Sequence, residues 1–225
     1  MTLTRWLAAS TVLFTAAACT ADDDPGTGSG TLYVRATVTA VSELPDERDP
    51  DGYISQLRAT VWHSDQRELA VESITISSAG GAVELTRDAD GSWWGDQPGY
   101  HRAYTLDIDA GEDHLAGARV VGPDLHAIDY PTQDGTVRGR EDLTVTWSHD
   151  QVADHVLVRT TNMGATGTED VGEFVVPAAM LNVDEQGNYD RVHVRRGNLI
   201  FPAGAAADST FSVDIEPHVN FTIEL

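Results

Sequence analysis

The sequence predicts an all-β protein built as two tandem antiparallel β-sandwiches, and three observations carry that expectation. Beyond Gly30 the apolar residues recur with a period of two, the pattern of strands with one buried and one solvated face. No stretch of helical periodicity is long enough to serve as a crossover between parallel strands. Turn signals punctuate the runs at Pro50-Asp51-Gly52, Gly80-Gly81, Asp90-Gly91 and Pro98-Gly99.

The first series occupies residues 31–122. It opens with Leu32, Val34, Ala36, Val38 and Ala40 alternating with Tyr33, Arg35, Thr37 and Thr39. Leu57, Ala59 and Val61 form the next strand, then Ile74 with Ile76 and Val83 with Leu85. Tyr104, Leu106, Ile108 and Ala110 follow, alternating with Thr105, Asp107 and Asp109. After a break at Gly122-Pro123 the second series fills residues 123–225. Leu143, Val145 and Trp147 face one way, and Val156 and Val158 lie on the next strand. Phe174 and Val176 lead to Pro177, which starts one helical turn over Ala178-Ala179-Met180-Leu181. Val192 and Val194 resume the alternation. Phe211, Val213 and Ile215, then Val219, Phe221 and Ile223, close the chain as two strands joined near Pro217.

Each series is close to the ~100 residues of an immunoglobulin-like domain, and parts of both resemble that family. The stretch from Gly99 to Ala110, with Tyr104 near its start, resembles the penultimate strand of such a domain. The resemblance implies a corner bond from the Tyr104 hydroxyl. Pro131 through Trp147 resembles the opening of a fibronectin type III domain, which implies a buried Trp147.

The N-terminus resembles a bacterial lipoprotein signal peptide. Arg5 precedes an apolar run through Trp6, Leu7, Val12, Leu13 and Phe14, then Ala16, Ala17, Ala18 and Cys19, the only cysteine. The run is too short to cross a bilayer, which takes ~20 residues. The resemblance implies cleavage after residue 18, acylation of Cys19 and attachment to the membrane through that lipid. Thr20, where Asp would signal inner-membrane retention, implies the outer membrane. Residues 19–30 contain no large apolar side chain after Cys19 and read as a flexible acidic tether.

Composition excludes several functions. The formal net charge is −22, which opposes nucleic-acid binding. All fourteen basic residues outside histidine are Arg, so lysine Schiff bases and P-loop lysines are excluded. With Cys19 committed to lipid, neither disulfides nor thiolate metal sites can form in the mature chain.

Three places can carry chemistry. Asp46, Asp49 and Asp51 form an acidic loop that reads as a solvated turn or as a loose calcium site. An EF-hand is excluded, because its closing ligand would fall on Arg58. His149, Asp154 and His155 flank a loop able to place two imidazoles and a carboxylate around zinc, with a spacing that fits no standard zinc motif. Ser148 beside them would need triad geometry to act as a nucleophile. Trp93 and Trp94 are adjacent on a strand, so only one can face the core; the other is exposed, covered or used for binding a ligand. Together these features predict an envelope-anchored, non-enzymatic binding or structural module whose partner is an envelope protein or a glycan. A carbohydrate- or calcium-dependent adhesion module is the alternative, and a metal-dependent hydrolase around His149 and His155 the third reading.

Overall fold

The computed structural model describes residues 22–42, 44, 47–183 and 188–224. Cys19, the signal segment and Asp46 lie outside them. Alternating apolar runs give nine strands in the first half: β1 (Thr27–Gly28), β2 (Leu32–Val41), β3 (Ile54–His63), β4 (Ser73–Ser78), β5 (Gly81–Glu84), β6 (Thr86–Arg87), β7 (Trp93–Pro98), β8 (Ala103–Ala110) and β9 (Asp113–Val121). Nine more follow: β10 (Ala127–Tyr130), β11 (Gly135–Arg138), β12 (Leu143–Ser148), β13 (His155–Arg159), β14 (Thr166–Thr168), β15 (Glu173–Val176), β16 (Tyr189–Ile200), β17 (Thr210–Glu216) and β18 (His218–Glu224). The expected turn after Pro177 is a 3-10 helix over Ala178–Met180.

The fold is an all-β sandwich, the class that the periodicity predicts, but its large sheet is mixed rather than wholly antiparallel, with β17 parallel to β2 and β11 parallel to β18. A large sheet in the order β11-β18-β16-β17-β2-β3-β7-β6, with β13 and β14 alongside, backs two smaller ones. The five-stranded sheet β1-β9-β8-β4-β5 closes a first core, in which Val34, Val38 and Leu57 meet Ile74, Ile76 and Leu106. The three-stranded sheet β10-β12-β15 closes a second, in which Val145, Trp147 and Val176 meet Val156, Val192 and Phe221. The Tyr104 corner is present. Ser55 Oγ donates to Gly99 O (2.7 Å), so the Tyr104 hydroxyl donates to Ser55 Oγ (2.7 Å) and accepts from His101 N (2.9 Å).

One ribbon serves both cores. β17 and β18 run end to end, bent at Pro217, antiparallel to the single long strand β16. Val192, Val194, Val219, Phe221 and Ile223 enter the second core, while Ile200, Phe211, Val213 and Ile215 enter the first. β17 then pairs in parallel with β2, from Thr210 opposite Arg35 to Glu216 opposite Val41. A cut at residue 122 therefore separates β17 from the core it completes.

The expected free tether is corrected by hydrogen bonding to β9: residues 23–29 lie along its edge. Asp24 and Arg119 exchange backbone hydrogen bonds (2.9 and 2.7 Å), Thr27 lies opposite Ala116, and Asp23 Oδ1 accepts from Val121 N (2.7 Å). Lack of apolar side chains does not prevent this, because main-chain groups supply the bonds. Glycine is required where Gly28 and Gly204 meet, since a Cβ on either would strike the other's backbone.

A buried polar lock holds the waist between the cores. The Arg196 guanidinium, fully buried, donates to both Asp170 oxygens (2.7–3.1 Å) and to the carbonyls of Asp124 and Gln151. Trp147 Nε1 and Ala153 N also donate to Asp170 (2.9 and 2.8 Å). Burial pushes the Asp170 carboxyl up, but these donors outweigh it and hold it below the usual carboxylate range. His126 is buried beside them, with Nε2 donating to Val194 O (3.0 Å). Burial first, then the Arg196 charge, lowers its pKa to about 3.

Candidate ligand-binding face

Strand alternation that sends Val34, Val38 and Leu57 inward sends the intervening side chains to the solvent face of the large sheet. Cross-strand register lays them out in rungs. Leu199, Ser212, Thr37, Arg58 and Trp94 lie side by side across β16, β17, β2, β3 and β7. Gly197, Asp214, Thr39, Gln56 and Asp96 form the next rung. A groove of about 620 Å³ runs over this face, with Thr37, Gln56, Arg58, Arg195 and Glu216 among its lining.

Aromatic rings stand at one end. Tyr33 and Trp62 are opposed in register and stack with centroids 4.5 Å apart and planes 26° apart. Arg35 lies 5.5 Å from the Tyr33 centroid and donates to its hydroxyl (3.0 Å). Trp62 is 39% exposed and Trp94 47%. Trp93, one residue away, turns inward and packs against the first core.

Charged clusters stand at the other end. Asp214 is buried beneath Arg195 Nη2 (2.6 Å), His155 Nε2 (2.7 Å) and Ser212 Oγ (3.0 Å). Burial raises its carboxyl pKa, yet the His155 and Arg195 bonds outweigh that and the net shift is downward. Glu216 accepts from Arg159 Nη2 (2.6 Å) and lies 3.0 Å from His193 Nδ1. Burial again opposes ionisation, and the His193 bond and Arg159 charge bring Glu216 down to about 2. These networks hold guanidinium, imidazole and carboxylate planes in fixed orientations, ready to hydrogen-bond a polar ligand without further ordering.

The other residues singled out in the sequence have separate commitments. Asp49 Oδ1 caps the short 3-10 helix by accepting from Asp51 N (3.0 Å), and Glu47 Oε1 accepts from Asp49 N (2.8 Å). His149 Nε2 turns to Asp170 (3.5 Å), whereas His155 turns to Asp214 on the outer sheet face. Asp154 Oδ2 accepts from Leu199 N (2.9 Å) and Ser148 Oγ from Arg48 (3.3 Å). So the zinc and hydrolase donors are not brought together, and no group of three or more metal-ligating side chains exists among the described residues. Sequence reading missed Tyr33–Trp62, Asp214 and Gly197, because cross-strand register, not local sequence, assembles them. The outward phase of Tyr33, Arg35, Thr37 and Thr39 was the available signal.

No family model matches the chain, and no curated protein matches it. Among solved structures it is similar, at 14% identity, to a 1.5-MDa bacterial ice-binding adhesin studied for host cell surface retention, over 85% of this chain and 66% of that one, with a TM-score of 0.26. A Ca2+-stabilized, ice-binding adhesin of an Antarctic bacterium gives 14% identity over 84% of this chain and 49% of that one, TM-score 0.28. The fibronectin(III)-like modules of Clostridium thermocellum CbhA give 16% identity over 79% and 92%, TM-score 0.24. The chain spans less than two thirds of either adhesin chain.

Proposed function

We propose that this chain is a non-enzymatic binding module of the bacterial envelope, held to the membrane through acylated Cys19, whose solvent-facing sheet takes a glycan. The observation that carries this reading is the group of half-buried Tyr33 and exposed Trp62 and Trp94 on one sheet face, beside a groove lined with oriented polar side chains. A buried aromatic side chain removes about 150–250 Å² from water, so leaving several together at the surface forgoes folding stability that a ligand can recover. Sugar rings present flat C–H faces for stacking and hydroxyls for the Thr, Gln and Arg side chains between. Strand rise and spacing put Trp62 and Trp94 about 14 Å apart, long enough for an oligosaccharide rather than one sugar.

The anchor fits the same arrangement. Asp22 is three residues beyond Cys19, a span of about 10 Å at full extension, so acylation would keep the folded body near the bilayer. A glycan array read with the wild type, Trp94→Ala and Trp62→Ala tests the binding reading. Binding by the wild type, weakened about tenfold by either substitution, supports it; an array with no wild-type signal removes it. Labelled palmitate incorporated by the wild type and lost in Cys19→Ser tests the anchor, and absence of label in the wild type overturns that part.

A further inference from the structure

We propose that the glycan is acidic, its sugar-borne carboxylate or sulfate seated between Arg35 and Arg58. This rests on the glycan reading above and names the ligand class of that same face. Arg35 lies opposite Thr60 on β3, and Arg58 lies opposite Thr37 on β2. The two arginines are thus diagonal neighbours on one face, with backbones about 7–8 Å apart. Both are exposed.

Their electrostatic setting differs from that of the arginines at the other end. Arg195 is neutralised by Asp214 and Arg159 by Glu216. Among the described residues neither Arg35 nor Arg58 forms an ion pair: Arg35 donates to the neutral Tyr33 hydroxyl, and the Arg58 charge reaches Asp90 only through space. Asp90 itself is committed to Ser92 N and Oγ (2.8 and 2.6 Å). A chain of net charge −22 therefore presents two cations without an ion-pair contact between aromatic rings, Tyr33–Trp62 on one side and Trp94 on the other.

That pairing of groups fits an anionic sugar. A guanidinium gives a carboxylate or sulfate two parallel hydrogen bonds, while the flanking rings stack on the sugar faces. Single-stranded nucleic acid also uses arginines and aromatic platforms. It must bring a dense row of phosphates against a strongly acidic body, whereas a glycan can place one anion between Arg35 and Arg58.

Calorimetry on the purified full chain separates the cases, using oligogalacturonate, a heparin-derived oligosaccharide, a neutral oligosaccharide of matched length and a thymidine oligonucleotide. The expected result is binding of at least one acidic glycan that weakens with added salt. Arg58→Ala and Arg35→Ala should each weaken it about tenfold or more, with Arg58→Lys restoring only part, since an ammonium cannot form the bidentate pair. Melting temperatures equal to wild type for the exposed Arg58 variants exclude a folding cause. Neutral and acidic glycans bound equally, with no effect of Arg58→Ala, would overturn the acidic class and leave the glycan reading standing. No glycan bound at all overturns both, and tighter binding of the oligonucleotide overturns the inference in favour of nucleic acid.

Discussion

A methyl group on Gly197 would fall inside the contact distance of Asp214 Oδ1 and of the His155 ring, so the burial of Asp214 depends on this one missing side chain. Gly197→Ala is expected to cost about 1–3 kcal/mol in denaturant unfolding, the usual scale of overpacking, and to perturb the His155 imidazole signals. Arg196 tests a different residue-scale balance. Arg196→Met leaves the buried Asp170 without its guanidinium partner, at an expected cost of about 3–5 kcal/mol. Adding Asp170→Asn removes the stranded charge while keeping an acceptor for Trp147, so urea titration should find the double variant more stable than the single one. His126 sets an acid limit. Its folded pKa, about 3, lies below the unfolded value near 6.5, so below pH 6.5 the unfolded chain binds a proton that the folded chain refuses. Stability from this group is full above pH 6.5 and lost progressively down to about 3. The loss amounts to about 2 kcal/mol between pH 7 and pH 5. His126→Gln should flatten that part of the stability–pH curve, and an unchanged slope would contradict the assignment.

At the scale of elements, the β1 segment shows what pairing adds to composition. Residues 22–30 are polar and glycine-rich, so nothing in their side chains announces a strand, yet β9 offers them an unpaired edge. Deleting residues 22–30 should leave the cores folded, speed hydrogen exchange at the Arg119 and Val121 amides, which donate to Asp24 O and Asp23 Oδ1, and promote concentration-dependent association through the bared edge. Exchange rates unchanged by the deletion would show the docking to be absent in solution. The same distinction explains what was legible beforehand. The phases of β2, β3, β8 and β12 follow from alternating side chains and were readable in full. Trp93 and Trp94 were readable as one inward and one outward ring, because adjacent strand residues must diverge. The partners of His149 and His155 were not readable: Asp170 and Asp214 lie in distant segments brought close by tertiary packing. Nor was the face itself, since Thr37 meets Ser212 only through the parallel register of β17 on β2.

For the whole molecule, the ribbon of β16 with β17–β18 makes the two cores one mechanical unit. The first core lacks Phe211, Val213 and Ile215 until the last strands are in place, so it cannot close before the C-terminal end of the chain is available. Such non-local pairing is slow to form, and it couples the cores once formed. Melting one core frees the ribbon and opens the other, and the buried Arg196–Asp170 lock at the waist is lost in the same event. Unfolding should therefore be a single cooperative transition, with amides in β2 and in β12 exchanging at the same global free energy. Phe221→Ala offers the sharpest check, because Phe221 touches the second core alone. The cavity should cost about 3–5 kcal/mol, and this loss should register equally in the exchange of Val34 and Val38 in the first core. Two separate transitions, with the first core unmoved by Phe221→Ala, would show that the ribbon joins the cores without coupling them.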